Sequence, residues 1–256
     1  MGVVKTSGIV LKTTKYGESS LIVTMLTRDF GKISAIANNV RTKKSAMIGG
    51  LQLFAYSEVV TYKAKSKNGL YNLNEMNVLE SFQGLRYDLD KMAYASYFAE
   101  VALAAVSEEE PDEEILRLLL NVLYALERGL ENPEKIKAVF LWRIAAESGF
   151  MPLLDGCSKC HSKEISAIDV AEGIALCENC RGDKPGISRG MAKVINYISS
   201  ADSKKIFGFS AGDENIAYIS SLGDAYVSAQ FDREFKTLEY LKNIKMLGDA
   251  NNGKTD

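Results

Sequence analysis

Two hydrophobic periods divide this chain. Up to Glu80 the apolar residues fall in short runs rich in branched and aromatic side chains, at residues 8–11, 21–26, 32–37, 53–62 and 70–79. Such runs predict β-strands. Turn signals separate them: Tyr16-Gly17-Glu18, Arg28-Asp29-Phe30-Gly31 and Lys67-Asn68-Gly69. Five strands in so short a segment suit an SH3-like barrel or an OB-fold. The longer stretch 38–50 leaves room for the irregular or helical link that an OB-fold carries between its third and fourth strands, which makes OB the better fit.

From Phe82 the period becomes helical. Leu85, Leu89, Met92, Tyr97 and Val101 recur at helical spacing, and Pro111-Asp112-Glu113-Glu114 opens a second helix with proline and acids at its positive end. Gly129 and Asn132-Pro133 separate this from a third helix that closes at Gly149. Ser188 is placed to cap a helix over 189–200, and further helices are predicted over 213–230, with Gly223 an unfavourable interior residue, and over 232–246. The polar, Gly/Asn-rich tail 248–256 predicts disorder. The fold class is thus α+β: an OB-fold β-barrel over 1–80, then an α-helical domain over 81–247.

Composition places the chain among ordinary globular proteins: 256 residues, 46% hydrophobic, 25% charged, with a formal net charge of -2. No apolar run approaches the ~18 residues of a membrane span, and residues 1–12 lack the apolar core of a signal peptide, so a cytoplasmic protein with no membrane partner is expected. Met1-Gly2 through Thr6 fits a myristoylation pattern, but the same residues read as the approach to the first strand. Near-neutrality hides a split. The first 80 residues carry 11 Lys and Arg against 5 Asp and Glu, whereas the remainder carries 20 against 28. A basic barrel joined to an acidic scaffold suggests one module that binds a polyanion and one that does not.

Placed on an OB-fold, the cations gather where that fold binds nucleic acid, on strands two and three and the loops joining strands one to two and four to five. The first loop holds Lys12, Lys15 and Tyr16; the second holds Lys63, Lys65 and Lys67; the link after strand three adds Arg41, Lys43 and Lys44. Arg28 and Lys32 flank the hairpin between strands two and three. These eleven residues are the candidate nucleic-acid-binding set. Cations at loop tips track phosphates, and rings such as Tyr16, Phe30, Tyr62 and Tyr71 are candidates to stack on unpaired bases, although any one of them also suits the barrel core.

All four cysteines of the chain form two knuckles, Cys157-Ser-Lys-Cys160 and Cys177-Glu-Asn-Cys180, with sixteen residues between. This spacing predicts one tetrahedral four-thiolate zinc site in a ribbon over 157–185, inserted in the helical domain, with a two-stranded hairpin in the linker. Four protein ligands leave no open position, so one Zn2+ per chain is expected in a structural role. Two disulfides would need an oxidising compartment, and redox CxxC motifs sit at helix starts in βαβ units. His161 follows Cys160 directly and is read as a bystander.

Several motifs together resemble the bacterial RecO recombination mediator family. At the N-terminal end they are Gly8-Ile9-Val10-Leu11, Tyr16-Gly17-Glu18, Thr27-Arg28-Asp29-Phe30-Gly31-Lys32, Lys43-Lys44-Ser45 and Leu51-Gln52-Leu53-Phe54. Later, Phe140-Leu141-Trp142-Arg143 and Gly149 through Asp155, leading into Cys157 and Cys160, are similar to that family's helix-to-zinc junction. Departures are Asn39 and His161 where the family often has Gly, and Glu172-Gly173 for Gly-Gly.

The resemblance implies a non-enzymatic DNA repair protein of the RecF recombination pathway. It would bind single- and double-stranded DNA, anneal complementary strands, contact the SSB C-terminal tail and, with RecR, help load RecA, working at the nucleoid. An acidic, apolar tail needs an apolar pocket with cations at its rim. Arg117, Arg128, Lys135, Lys137 and Arg143 are candidates, each also readable as part of a solvated helix face. Two other classes stand beside this one: an RNA- or polymerase-binding protein of transcription or translation, and a zinc hydrolase. The hydrolase lacks an open metal position, and no nucleotide-binding glycine motif occurs.

Overall fold

The computed structural model describes residues 3–41, 47–63 and 69–252, and the chain divides into two compact units, 1–127 and 128–256.

The first unit opens with five strands: β1 (Val3–Tyr16), β2 (Ser20–Thr27), β3 (Gly31–Ala37), β4 (Tyr56–Lys63) and β5 (Tyr71–Glu80). They close into a barrel in the order β1-β2-β3-β5-β4, with β3 and β5 parallel and every other pair antiparallel. That is the expected OB arrangement. Closure depends on β1, the longest strand. Its first half pairs with β4, its second half with β2, and Gly8 pairs with both Thr27 and Ser57. A register shift between Val10 and Lys12 bends the strand, as a bulge does, so that one segment serves two neighbours. Val10, Val23, Met25, Ile33, Val59 and Met76 fill the interior, and Tyr71 joins them. Among the described residues, the link from β3 to β4 is built of turns and contains no helix. Asn39 stands there at φ 57, a conformation asparagine tolerates better than most residues.

Three helices complete this unit: α1 (Gln83–Arg86), α2 (Leu89–Ala105) and α3 (Glu113–Arg128). Asp88 caps α2 by accepting from the Lys91 N–H. The β2–β3 turn lies against the chain between α2 and α3. Gly31 has φ +59, and a Cβ there would stand 1.9 Å from the Glu110 carbonyl oxygen, so only glycine fits. Beside it the Glu109 N–H donates to the Lys32 carbonyl at 3.1 Å.

The second unit contains α4 (Pro133–Glu147), the ribbon strands β6 (Ala167–Asp169) and β7 (Ile174–Leu176), α5 (Arg189–Ser200), α6 (Asp213–Gln230) and α7 (Lys236–Asn252). Asn132 caps α4 with proline at its start, and Ser188 caps α5 by accepting from the Met191 N–H at 3.2 Å. The interior glycine of α6 has a packing reason: a Cβ on Gly223 would meet Leu141 at 3.1 Å and the Trp142 indole nitrogen at 3.3 Å. Its absence lets α4 and α6 approach closely, and the Trp142 indole donates to the Ile219 carbonyl at 3.0 Å. The expected disorder from Gly248 is corrected in part, because α7 runs on through Asn252; residues 253–256 lie outside the described residues.

Candidate nucleic-acid interface and metal centre

Strand pairing gathers three of the basic segments around the C-terminal end of β3. Lys63 pairs with Tyr71, Tyr71 pairs with Ala35, and Ala37 pairs with Leu21 at the start of β2. Beyond β3, the Arg41 N–H donates to the Ser19 carbonyl at 2.9 Å, and its guanidinium donates to the carbonyl of Glu18 at 3.0 Å. The roots of the first loop, the β3–β4 link and the β4–β5 loop therefore share one rim. Lys43, Lys44, Lys65 and Lys67 lie outside the described residues, as does the side chain of Lys63. Lys15 and Tyr16 are exposed on this rim at the end of β1.

Lys12 is exposed further along β1, at the edge of an outward face. It pairs with Thr24, which pairs with Ser34; the next row runs Thr14, Ile22, Ile36. The outer face of β2 and β3 is thus small and uncharged at its centre, with no ring on it. Of the candidate stacking rings, Tyr16 is 49% exposed, whereas Tyr71 is 5% exposed in the core, with its hydroxyl on the Glu109 carboxylate. Phe30 packs against the barrel core and Tyr62 is half-buried.

Arg28 and Lys32 are not brought to this rim. They sit at the opposite end of the β2–β3 hairpin, a strand length or roughly 20 Å away. Arg28 pairs with Glu113 at 3.2 Å. Lys32 donates to the carbonyls of Leu103 and Val106 and lies 3.8 Å from Glu108. It caps the C-terminus of α2, a role its sequence position beside a turn does not announce.

The cations of the helices are also engaged. Lys135 lies 3.0 Å from Glu131 and over the Phe209 ring; Lys137 is buried against Asp224 at 2.9 Å; Arg143 pairs with Glu147 and donates to the carbonyls of Ser199 and Ala201 at the end of α5. Arg117 pairs with Glu114 on its own helix, and Arg128 is the last residue of α3.

The ribbon brings its two knuckles together as the spacing requires. β6 and β7 pair from Ala167–Leu176 to Asp169–Ile174, and the Ser158 N–H donates to the Ala175 carbonyl at 2.9 Å. All four sulfurs of Cys157, Cys160, Cys177 and Cys180 lie within 4.8 Å of one another. Tetrahedral coordination at about 2.3 Å places sulfurs about 3.8 Å apart, so the set fits a four-coordinate soft metal ion. Cys157 and Cys177 are buried, Cys160 is exposed. His161 adopts φ 60, a left-handed conformation that favours glycine.

The metal-free thiols interfere with one another. Burial raises Cys157, but the backbone N–H groups of Cys160, Cys177 and Lys159 outweigh it and bring the thiol down to about 6. Cys180 is pushed up to about 12 by the side chains of Cys160 and Cys177 and by burial. A divalent cation removes that penalty by neutralising the accumulating charge. The ribbon is anchored on α6, where Gln230 donates to the Val170 carbonyl at 2.8 Å and Tyr218 to the Gly186 carbonyl at 2.9 Å.

Comparison with known proteins agrees with this architecture on both sides of the helix junction. Residues 1–82 match the family Recombination protein O N terminal, and residues 86–239 match Recombination protein O C terminal. The chain belongs to the RecO family. It is 31% identical over 249 residues to the DNA repair protein RecO of Acetivibrio thermocellus, covering 95% of this chain and 98% of that one. The RecO of Caldicellulosiruptor bescii is 32% identical over 248 residues, covering 96% and 100%, and that of Anaeromyxobacter sp. (strain K) 35% over 200 residues, covering 77% of each. A DNA repair protein of the RecO family, with a closed N-terminal barrel and a four-cysteine metal-binding cluster, is what the sequence motifs imply. No helix among the described residues is long and apolar enough to cross a membrane.

Proposed function

We propose that this chain is a non-enzymatic recombination mediator whose barrel binds single- and double-stranded DNA and anneals complementary strands. The observation that carries the reading is the convergence of three basic segments on one barrel rim, beside an uncharged face of β2 and β3. Lysines at the rim neutralise phosphates on two strands, lowering their mutual repulsion so that bases pair. The ion of the ribbon is zinc, one per chain, held by four thiolates with no position left for water or substrate, and therefore structural. In the cell the protein works at the bacterial nucleoid with RecR, docks the SSB C-terminal tail and so helps load RecA. The testing measurement is strand annealing of complementary oligonucleotides, bare and coated with SSB. Annealing of both supports a mediator; annealing of bare strands alone reduces it to a DNA-binding protein, and preference for structured RNA removes it from recombination.

Replacing Lys63, Lys65 and Lys67 together by alanine should weaken single-stranded DNA binding about equally across sequences. Each lost phosphate contact removes roughly 0.7 from the log-log salt slope, so three remove about 2. Titration at several salt concentrations reads this directly, with thermal melting as the folding control. An unchanged slope in the folded variant moves the DNA path off this loop.

Tyr16→Ala separates stacking from charge. The ring is half exposed on the same rim, and loss of a stacked base should cost about 1–3 kcal/mol of binding while leaving the salt slope almost unchanged. Equal binding by the variant assigns Tyr16 no stacking role.

A further inference from the structure

The four thiols of the ribbon are not equivalent. Cys157 and Cys177 are buried and Cys180 is half-buried, whereas Cys160 is exposed, and so are Ser158, Lys159 and His161 around it. A small solute therefore reaches one sulfur of the cluster before the others. Oxidation of a cysteine follows its exposure and its thiolate character, and a metal-bound sulfur is already a thiolate.

The Sγ of Cys160 stands 3.5 Å from the Sγ of Cys177 in the other knuckle. A disulfide spans about 2.0 Å, so about 1.5 Å separates this contact from a bond. Backbone hydrogen bonds hold the two knuckles in place without help from an ion. The His161 N–H donates to the Cys157 carbonyl at 2.8 Å, the Cys157 N–H to the Ser162 carbonyl at 2.8 Å, and the Ser158 N–H to the carbonyl of Ala175, two residues before Cys177, at 2.9 Å. Every cysteine of the chain belongs to this cluster, so no thiol elsewhere in it competes for an oxidised partner. An accessible sulfur with a buried one in reach suits oxidation that ends in a disulfide.

We propose that Cys160 is an oxidative modification site, at which hydrogen peroxide joins Cys160 to Cys177 and so ends metal binding by the ribbon. The inference rests on the structural-zinc reading above. The Cys160 thiolate attacks a peroxide oxygen; the S–O bond forms, the O–O bond breaks and hydroxide leaves, giving the sulfenic acid. The Cys177 thiolate then attacks the Cys160 sulfur; the S–S bond forms, the S–O bond breaks and a second hydroxide leaves. Two electrons pass from sulfur to peroxide, and two protons from solvent convert both hydroxides to water. Cys157 and Cys180, one from each knuckle, remain as the last two of the four ligands a structural site uses. The consequence stays in the second unit, because the barrel contains no cysteine.

The test treats reduced, zinc-loaded, full-length protein with hydrogen peroxide, reading released zinc with a chelating dye and the cysteines by peptide mapping. Cleavage after Lys159 and after Glu178 places all four cysteines on separate peptides. The expected first product is the Cys160–Cys177 disulfide, formed in step with zinc release at two thiols lost per ion, and reversed by dithiothreitol with added zinc. Cys160→His keeps a three-thiolate, one-imidazole set that zinc accepts, and its release by peroxide should be at least about tenfold slower. The mapping of the parent protein decides the matter even where that variant folds poorly. A first disulfide between any other pair, zinc release with all thiols intact, or zinc-loaded protein inert to peroxide overturns the inference alone. Protein that carries no zinc before peroxide is added overturns the structural-zinc reading and the inference with it.

Discussion

Cys157→Ser or Cys177→Ser should abolish metal retention and unfold the ribbon while leaving the salt slope of DNA binding as it was. Both sulfurs are buried beside Leu176 in a cluster of very few apolar residues. Burial on that scale does not offset the conformational entropy of ordering the ribbon. Metal must supply the difference, and zinc bound by short four-ligand peptides contributes about 10 kcal/mol or more. Because the thiols bind as thiolates, metal is lost as pH falls and protons compete for the sulfurs. Elemental analysis of protein purified reduced and without chelators should give about one zinc per chain. Protein lacking metal under those conditions, or a serine variant that melts like the parent, would falsify the structural-zinc account.

The second large effect is expected from a pair with no part in DNA binding. Lys137 and Asp224 are 5% and 6% exposed and lie 2.9 Å apart, joining α4 to α6. Asp224→Ala leaves an ammonium buried with only Glu134, at 3.4 Å, to compensate it. Breaking a buried pair from one side costs about 3–5 kcal/mol, whereas replacing both partners by apolar residues of similar size is often neutral. Urea unfolding should therefore show a much lower midpoint for Asp224→Ala than for Lys137→Met combined with Asp224→Leu. Equal midpoints would mean that the pair is solvated and contributes little.

Much of this architecture is legible in the residues because local and global preferences agree. The five strand runs, Asn132-Pro133 and Ser188 as helix starts, and the two CxxC knuckles each carry a local physical signature, and the structure uses each in that role. What escapes the sequence is the long-range fate of individual side chains. Lys32 reads as a hairpin cation but caps α2, seventy-one residues from the Leu103 carbonyl it reaches. Lys137 reads as part of a solvated helix face, yet its partner stands eighty-seven residues away. Gly223 reads as a weak point of its helix because nothing nearby announces that Leu141 and Trp142 will press against it. The apolar rows of β2 and β3 were visible, but their pairing into an outer face free of rings depends on register.

The seam between the two family matches falls after Phe82, but the first compact unit continues to Glu127. The turn at Gly31 explains the mismatch. With Glu110 packed against that glycine, Glu109 bonded to the Lys32 carbonyl and Tyr71 reaching the Glu109 carboxylate, the barrel borrows its outer wall from beyond its own last strand. A fragment ended at the seam would present an open hairpin edge and a lysine stripped of the carbonyls it caps. The smallest piece of this chain that keeps the barrel intact ends after α3, so separating the two compact units means cutting in the short stretch before Pro133.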